Sequence, residues 1–259
     1  MKTTILIPAR YASSRYPGKP LVELKGTDGV SKPLIQRTWE TALEVACVSD
    51  VFVATDDDRI ANRVEGFGGK VIMTSESCAN GTERCAEALG KLKDRPDLIV
   101  NLQGDAPLTP SWFLEDLIAA LHDRPDIAVA TPVLRCDRQT YAHFKADRVE
   151  GRVGGTTAVF AGDSSALYFS KEVVPYVPEG KAVEPLPVFH HVGVYAYRPE
   201  ALGRYSKWTE GALEANEGLE QLRFLENGEK ILCVEVDARG RLFWELNNPV
   251  DVARIEEVL

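Results

Sequence analysis

The chain has 259 residues, 44% of them hydrophobic and 27% charged, enough for a packed core in one large domain or in a main domain with a small lobe. A net charge of −9 argues against broad, nonspecific nucleic-acid binding, which runs on cation–phosphate attraction, and no apolar run approaches the ~18–20 residues that cross a bilayer. The five cysteines (Cys47, Cys78, Cys85, Cys136, Cys233) are odd in number and form no C-x-x-C, so disulfide and zinc frameworks are not expected and the reducing cytoplasm is the expected location.

The first half alternates short apolar runs with amphipathic stretches. "TTILI" (3–7) is too brief for a secretion signal and reads as a first strand. "VFVAT" (51–55), "KVIMT" (70–74), "DLIVNLQ" (97–103) and "IAVAT" (127–131) follow as strands buried on both faces. Between them, "KPLIQRTWETALEVAC" repeats apolar residues at Ile35, Trp39, Ala42, Leu43 and Ala46, and "DDDRIANRVEGFGG" opens acidic and closes on glycine, both helix signals. "NGTERCAEALGKLK" adds a third helix with Thr82, Cys85, Ala86 and Leu89 on one face. Such alternation predicts βαβ units: an α/β, mostly parallel, Rossmann-like sheet.

From about 137 to 190 the rhythm gives way to a stretch rich in Gly and Pro, with strand-like pieces at 156–160 and 166–170, read as a small inserted lobe in one domain spanning 1–259. "VGVYAYR" (192–198) is a further strand, then come a helical pattern, strands "KILCVEV" (230–236) and "RLFWELN" (241–247), and a helix in "PVDVARIEEVL".

In open α/β sheets, ligands bind beyond the carboxyl ends of the strands. Three polar stretches fall there: "PARYASSRYPGKP" (8–20), "TDDD" (55–58) and "QGDAP" (103–107). The first carries Arg10, Arg15 and Lys19 but fits neither GxxxxGK[ST] nor GxGxxG, so a phosphate there is held by side chains as well as backbone. Asp105, just past a buried strand, is either a turn residue or a ligand for Mg2+, a hard ion that takes one or two carboxylates plus phosphates and water. Asn80-Gly81-Thr82 opens a helix whose first N–H groups either cap locally or meet an anion or base edge. Cys78 and Cys85 read as packed thiols rather than reactive ones.

Taken in order, "IPARYASSRYPGKPL", "VATDDDRIANRVEGFGGKVIMTSES", "NGTERCAEAL", "IVNLQGDAPL", "ALYFSKEVVPY", "HHVGVYAYR" and "LEANEGLEQLRFLENGEKI" resemble the 3-deoxy-manno-octulosonate (Kdo) cytidylyltransferases over nearly the whole chain. The resemblance implies a GT-A-like nucleotidyltransferase sheet with a smaller sugar-binding and dimerisation lobe, Mg2+, and a homodimer. It implies that Arg10, Ser13, Arg15 and Lys19 hold the triphosphate of CTP, that Gln103 reads cytosine with Asn80, Gly81 and Thr82, and that Asp105 binds the metal. His191, Tyr195, Glu220 and Gln221 would meet a 2-keto-3-deoxy sugar acid, with Arg15, Lys19 and Asp105 carrying the chemistry and "ALYFS" near the dimer interface. The implied reaction is attack of the sugar's anomeric hydroxyl on the α-phosphorus, with neither nucleic acid nor membrane as partner.

Three departures stand out. Ala106 replaces the family's glutamate, Thr157 stands where a lysine is common, and Asn247 takes the place of the second metal aspartate. If "RLFWELN" is a strand, Phe243, Glu245 and Asn247 share a face, and Glu245 can supply the missing carboxylate. An amino-substituted sugar acid fits the same lobe. A nucleotide-binding homologue without catalysis is the reading from a different class.

Overall fold

Seven consecutive buried residues, Thr3–Ala9, form β1, and the sheet grows outward on both sides of it. The computed structural model describes residues 1–259 except 14, 15, 154, 179–183, 242 and 247. Strand β1 leads to a hairpin, β2 (Glu23–Lys25) and β3 (Ser31–Pro33), then α1 (Leu34–Leu43), β4 (Asp50–Thr55), α2 (Asp58–Gly66), β5 (Lys70–Met73), α3 (Gly81–Lys91) and β6 (Leu98–Leu102). Helix α4 (Ser111–Asp123), β7 (Val129–Arg135), α5 (Arg138–Val149), β8 (Thr156–Phe160), β9 (Ala166–Ser170), β10 (Phe189–His191) and β11 (Val194–Tyr197) follow. The chain continues through α6 (Pro199–Tyr205), α7 (Ala212–Glu217), α8 (Leu222–Glu226), β12 (Ile231–Glu235) and α9 (Asp251–Glu256).

The large sheet has ten strands among the described residues, in the order β5-β4-β1-β6-β11-β7-β10-β8-β9, with β12 also paired to β7. Strands β5, β4, β1 and β6 are mutually parallel, and β11 runs antiparallel to both β6 and β7. This central region is the expected mostly parallel α/β sheet. Strands β10, β8 and β9 extend the same sheet: β10 pairs antiparallel with β7 and β8, and β8 with β9.

Burial on both faces follows from strand alternation. Ile5 and Ile7 join a cluster with Ile35, Ile60, Val64, Phe113 and Leu117, from α1, α2 and α4. Leu6 points the other way, toward Cys85, Ala88, Leu202, Tyr205 and Phe224 from α3, α6 and α8. Each fully buried Leu, Ile or Phe contributes roughly 1.5–3 kcal/mol. Among the described residues no helix is long and apolar enough to cross a membrane.

Two elements escape the sequence patterns. The β2–β3 hairpin has three-residue strands, of which β2 buries only Leu24, too short for alternation to register. Helix α5 buries only Phe144 and Asp147, so its apolar stripe is nearly absent. Conversely, the described part of 241–247 is no strand. Phe243, Trp244 and Glu245 all line one cleft instead of alternating, because the segment crosses that cleft and is tied by the Leu246 N–H to the Asp105 carbonyl at 2.9 Å. Leu246 is buried apart from the sheet, with Leu24, Leu34 and Ile255.

A buried ion pair ties α7 and α8 to the start of α3. Arg223 donates to both oxygens of Glu214, at 2.6 and 2.8 Å, and to Glu83 at 2.8 Å. Arg223→Met leaves two carboxylates without their cation and is expected to destabilise the fold by about 3–5 kcal/mol, read as a drop in the urea midpoint; a change below about 1 kcal/mol would show the pair to be dispensable.

Candidate active site

The carboxyl ends of β1 and β6 open into a cleft of about 1530 Å³. That exceeds the roughly 300–1,000 Å³ of a single small-ligand pocket and leaves room for two reactants. At the first end, the turn after β1 folds back on itself: the Gly18 N–H donates to the Tyr11 carbonyl at 2.9 Å, and Gly18 takes φ 70° with the Tyr11 ring packed against it. Arg59 covers the ring's other surroundings, its guanidinium carbon 3.3 Å from the centroid. Arg10, Ser13 and Lys19 from this turn all line the cleft. The Ser13 hydroxyl accepts from the Tyr16 N–H at 3.3 Å, and Arg10 reaches the Ala79 carbonyl at 3.5 Å. The Lys19 ammonium donates to Asp105 at 2.5 Å. Gly104 is required beside it, because a β-carbon would sit 2.9 Å from the Pro8 carbonyl oxygen.

The second wall is the start of α3. Asn80 caps the helix, its side-chain oxygen accepting from the Glu83 N–H at 2.8 Å. The Thr82 N–H is not open to a ligand: it donates to Glu220 at 3.0 Å. Glu220 also accepts from the Gln103 amide at 3.2 Å, and the Gly81 backbone lies so close to Gln103 that a β-carbon would stand 2.7 Å from its nitrogen. Burial pushes the Glu220 carboxyl up to about 7, with the Thr82 hydrogen bonds pulling the other way and the Glu214 carboxylate adding to the rise. Glu220, expected to meet the sugar acid, is thus bound to the turn and the glutamine expected to read the base.

The third group lies on the other side of Glu220. Its neighbour Gln221 accepts from the Tyr195 hydroxyl at 3.0 Å and has its amide nitrogen 3.4 Å from His191 Nδ1. His191 and Tyr195 share a strand face across the Val192–Gly193 interruption between β10 and β11. Thr131 pins that interruption, donating to the Val194 carbonyl at 2.8 Å and lying 2.9 Å from His191 Nε2. Burial, with His190 nearby, pushes His191 down to about 3, so its ring is neutral at ordinary pH. Burial also raises the Tyr195 phenol, with Glu220 adding to the effect.

The expected site residues therefore converge on one cleft, apart from Thr82 and from Arg15 and Asn247, the last two lying outside the described residues. Thr82 is buried behind the wall as a support, sharing a hydrogen bond with Tyr197 at 2.9 Å. Of the three polar stretches, "TDDD" serves the scaffold. Asp56 pairs with the buried Arg84 at 2.9 Å, and Asp57 caps α2 through the Arg59 N–H at 2.9 Å. Cys78, which donates to Glu87 at 3.2 Å, is pushed up to about 11 by burial, and Cys85 is also raised; both are packed thiols. Sequence patterns overlooked Lys171, Trp244 and Arg254, which also line the cleft. For Lys171 a signal existed, a lone cation one residue past the "ALYFS" strand; Trp244 and Arg254 carried none.

The donor set for a divalent cation is small. Asp105 and Glu245 line the cleft together, and the Leu246–Asp105 backbone bond brings their segments side by side. Glu245 lies against Gly193, one carboxylate oxygen 3.3 Å from where a β-carbon would be. Among the described residues no group of three or more His, Cys, Asp or Glu could hold a metal by itself. Two carboxylates that share the cleft with Arg10 and Lys19 fit Mg2+, an ion that takes one or two carboxylates and completes its shell with other oxygens and water.

Sheet order and cleft together define a nucleotidyltransferase. Residues 4–231 match the cytidylyltransferase family, and the chain belongs to it. It is 40% identical to the 3-deoxy-manno-octulosonate cytidylyltransferase of Maricaulis maris, covering 100% of this chain and 97% of that protein. It is 42% identical to the 8-amino-3,8-dideoxy-manno-octulosonate cytidylyltransferase of Shewanella sediminis, covering 89% of each. A solved CMP:2-keto-3-deoxy-manno-octonic acid synthetase complexed with CTP superposes with a TM-score of 0.85 at 36% identity, covering 99% of this chain and 98% of that one.

Because its carboxyl is raised from 4.5 to about 7, Glu220 takes up a proton on folding in that interval, so its contribution makes stability fall as pH climbs and level off above about 7. Glu220→Gln keeps an acceptor for Thr82 and removes the charge of a half-buried carboxyl. The variant is expected to gain on wild type between pH 5 and 8, by on the order of 3 kcal/mol in urea unfolding, and a pH-independent difference would refute the assignment.

Proposed function

We propose that the chain transfers a cytidylyl group from CTP to a 2-keto-3-deoxy sugar acid, Kdo or its 8-amino analogue, releasing pyrophosphate. The supporting observation is the adjacency of Glu220 and Gln221. One side chain holds the Gly81–Gln103 wall, while the other holds Tyr195 and His191. Arg10, Ser13 and Lys19, with Arg15 by resemblance, bind the triphosphate. Asn80, Gly81 and Gln103 face the base, and His191, Tyr195 and Gln221 take the sugar acid. Lys171, whose ammonium lies in the cleft beside Gly218, supplies a counter-charge for the acid's carboxylate.

In the reaction the anomeric oxygen forms a bond to the α-phosphorus and loses its proton. The α–β bridging bond breaks, and pyrophosphate leaves with its electron pair. The protein contributes orientation and charge, and no covalent intermediate is needed. Neutral His191 and the Tyr195 phenol are hydrogen-bonding groups that fix the sugar's approach. Asp105 and Glu245, with Asn247 assisting, would hold Mg2+, which when bound offsets phosphate charge and polarises the phosphoryl group. The 137–190 stretch contributes Lys171 to the sugar side. Strand β9 ends the sheet order, with Leu167 64% exposed on it, and this edge is where a second copy would pair to form a homodimer.

Pyrophosphate release measured with CTP, Mg2+ and each of the two acids tests the reading. Release with either supports cytidylyl transfer, and CTP binding without release from any 2-keto-3-deoxy acid would favour a regulatory homologue. In the same assay Glu245→Gln is expected to raise the Mg2+ concentration for half-maximal rate by about tenfold, and an unchanged Mg2+ dependence would remove Glu245 from the metal site.

A further inference from the structure

The C-terminal segment places a cation at the phosphate end of the cleft to which no role has been given. Arg254 lines the same cleft as Ser13, Lys19 and Asp105. Its guanidinium carbon lies 3.9 Å from the centroid of Trp244. Trp244 is in turn fixed by its indole N–H, which donates to Asp251 at 3.1 Å. Among the described residues Arg254 takes part in no carboxylate ion pair, whereas the Lys19 ammonium is engaged by Asp105.

The segment is seated against the phosphate turn. Leu246 and Ile255 form a small core with Leu24 and Leu34, on which Tyr16 and Val22 pack. Glu256 accepts from the Lys25 N–H at 2.7 Å, and the Leu259 carbonyl accepts from the Thr27 N–H at 2.7 Å. Arg254, next to Ile255, therefore sits on an element braced against Tyr16 and Val22. Stacking on an aromatic ring uses the face of a guanidinium and leaves its in-plane N–H fork for phosphate oxygens.

We propose that Arg254, held by the Trp244 ring, binds the β- and γ-phosphates of the nucleotide and then the departing pyrophosphate. This rests on the cytidylyl-transfer reading. A cation here acts on the leaving group, so it adds affinity for CTP and pyrophosphate and none for CMP.

Calorimetric titration of wild type, Arg254→Gln and Arg254→Lys with CTP, pyrophosphate and CMP separates the outcomes. Losing a charge-assisted hydrogen bond weakens pyrophosphate and CTP binding to the Gln variant by about tenfold to a hundredfold, leaves CMP unchanged, and is partly restored in the Lys variant. Parallel weakening of all three ligands would make Arg254 a brace for the segment, and no change in any would make it a surface residue; either overturns the proposal. Wild type that binds neither CTP nor CMP would overturn the nucleotide reading itself, along with this one.

Discussion

The half-buried carboxylate of Glu220 is the constraint around which the cleft is arranged. It comes from the last third of the chain and ties the start of α3 to the end of β6 through the Thr82 N–H and the Gln103 amide. Burying a carboxyl is unfavourable in its charged form, which is why the group is raised to about 7. Hydrogen bonds from two elements offset that cost only when both are in register. The same backbone turn sets Gln221 toward Tyr195 and His191, so the two halves of the site are spaced by one peptide unit rather than by independent loops.

Around this centre the charges are divided. Arg10 and Lys19 line the cleft with Asp105 and Glu245, while Gln221 has neutral partners, a histidine pushed down to about 3 and a raised phenol. Support sits behind both ends. Arg223 and Glu214 brace α7 and α8 against α3, and Arg84 pairs Asp56 across from the end of β4.

The parallel half of the sheet was legible because its strands are apolar on both faces and the helices between them carry clear stripes. So were Arg10, Lys19 and Asp105, since each lies just past a strand. The β2–β3 hairpin and α5 were not, because three-residue strands and a helix burying two side chains leave little periodic signal. The segment 243–246 was misread as a strand because its aromatic and aliphatic residues carry β propensity. Its partner is instead the Asp105 carbonyl, a contact no local pattern encodes. The bonds from Glu220 to Thr82 and Gln103 were not legible, because no local pattern tells that adjacent side chains Glu220 and Gln221 leave the backbone in different directions. Arg254 carried no signal, since only the fold brings Trp244 beside it.

The bond between Glu256 and Lys25 closes a span of 231 residues. Loop-closure entropy makes such a contact costly until the intervening chain is ordered, and long-range contacts of this kind slow folding. During synthesis the phosphate turn leaves the ribosome long before the segment that covers it. A nascent chain can therefore assemble β1, β4, β5 and β6 while the cleft still lacks its outer wall. The wall formed by residues near Leu246 and Ile255 is then ordered after the strands beside it.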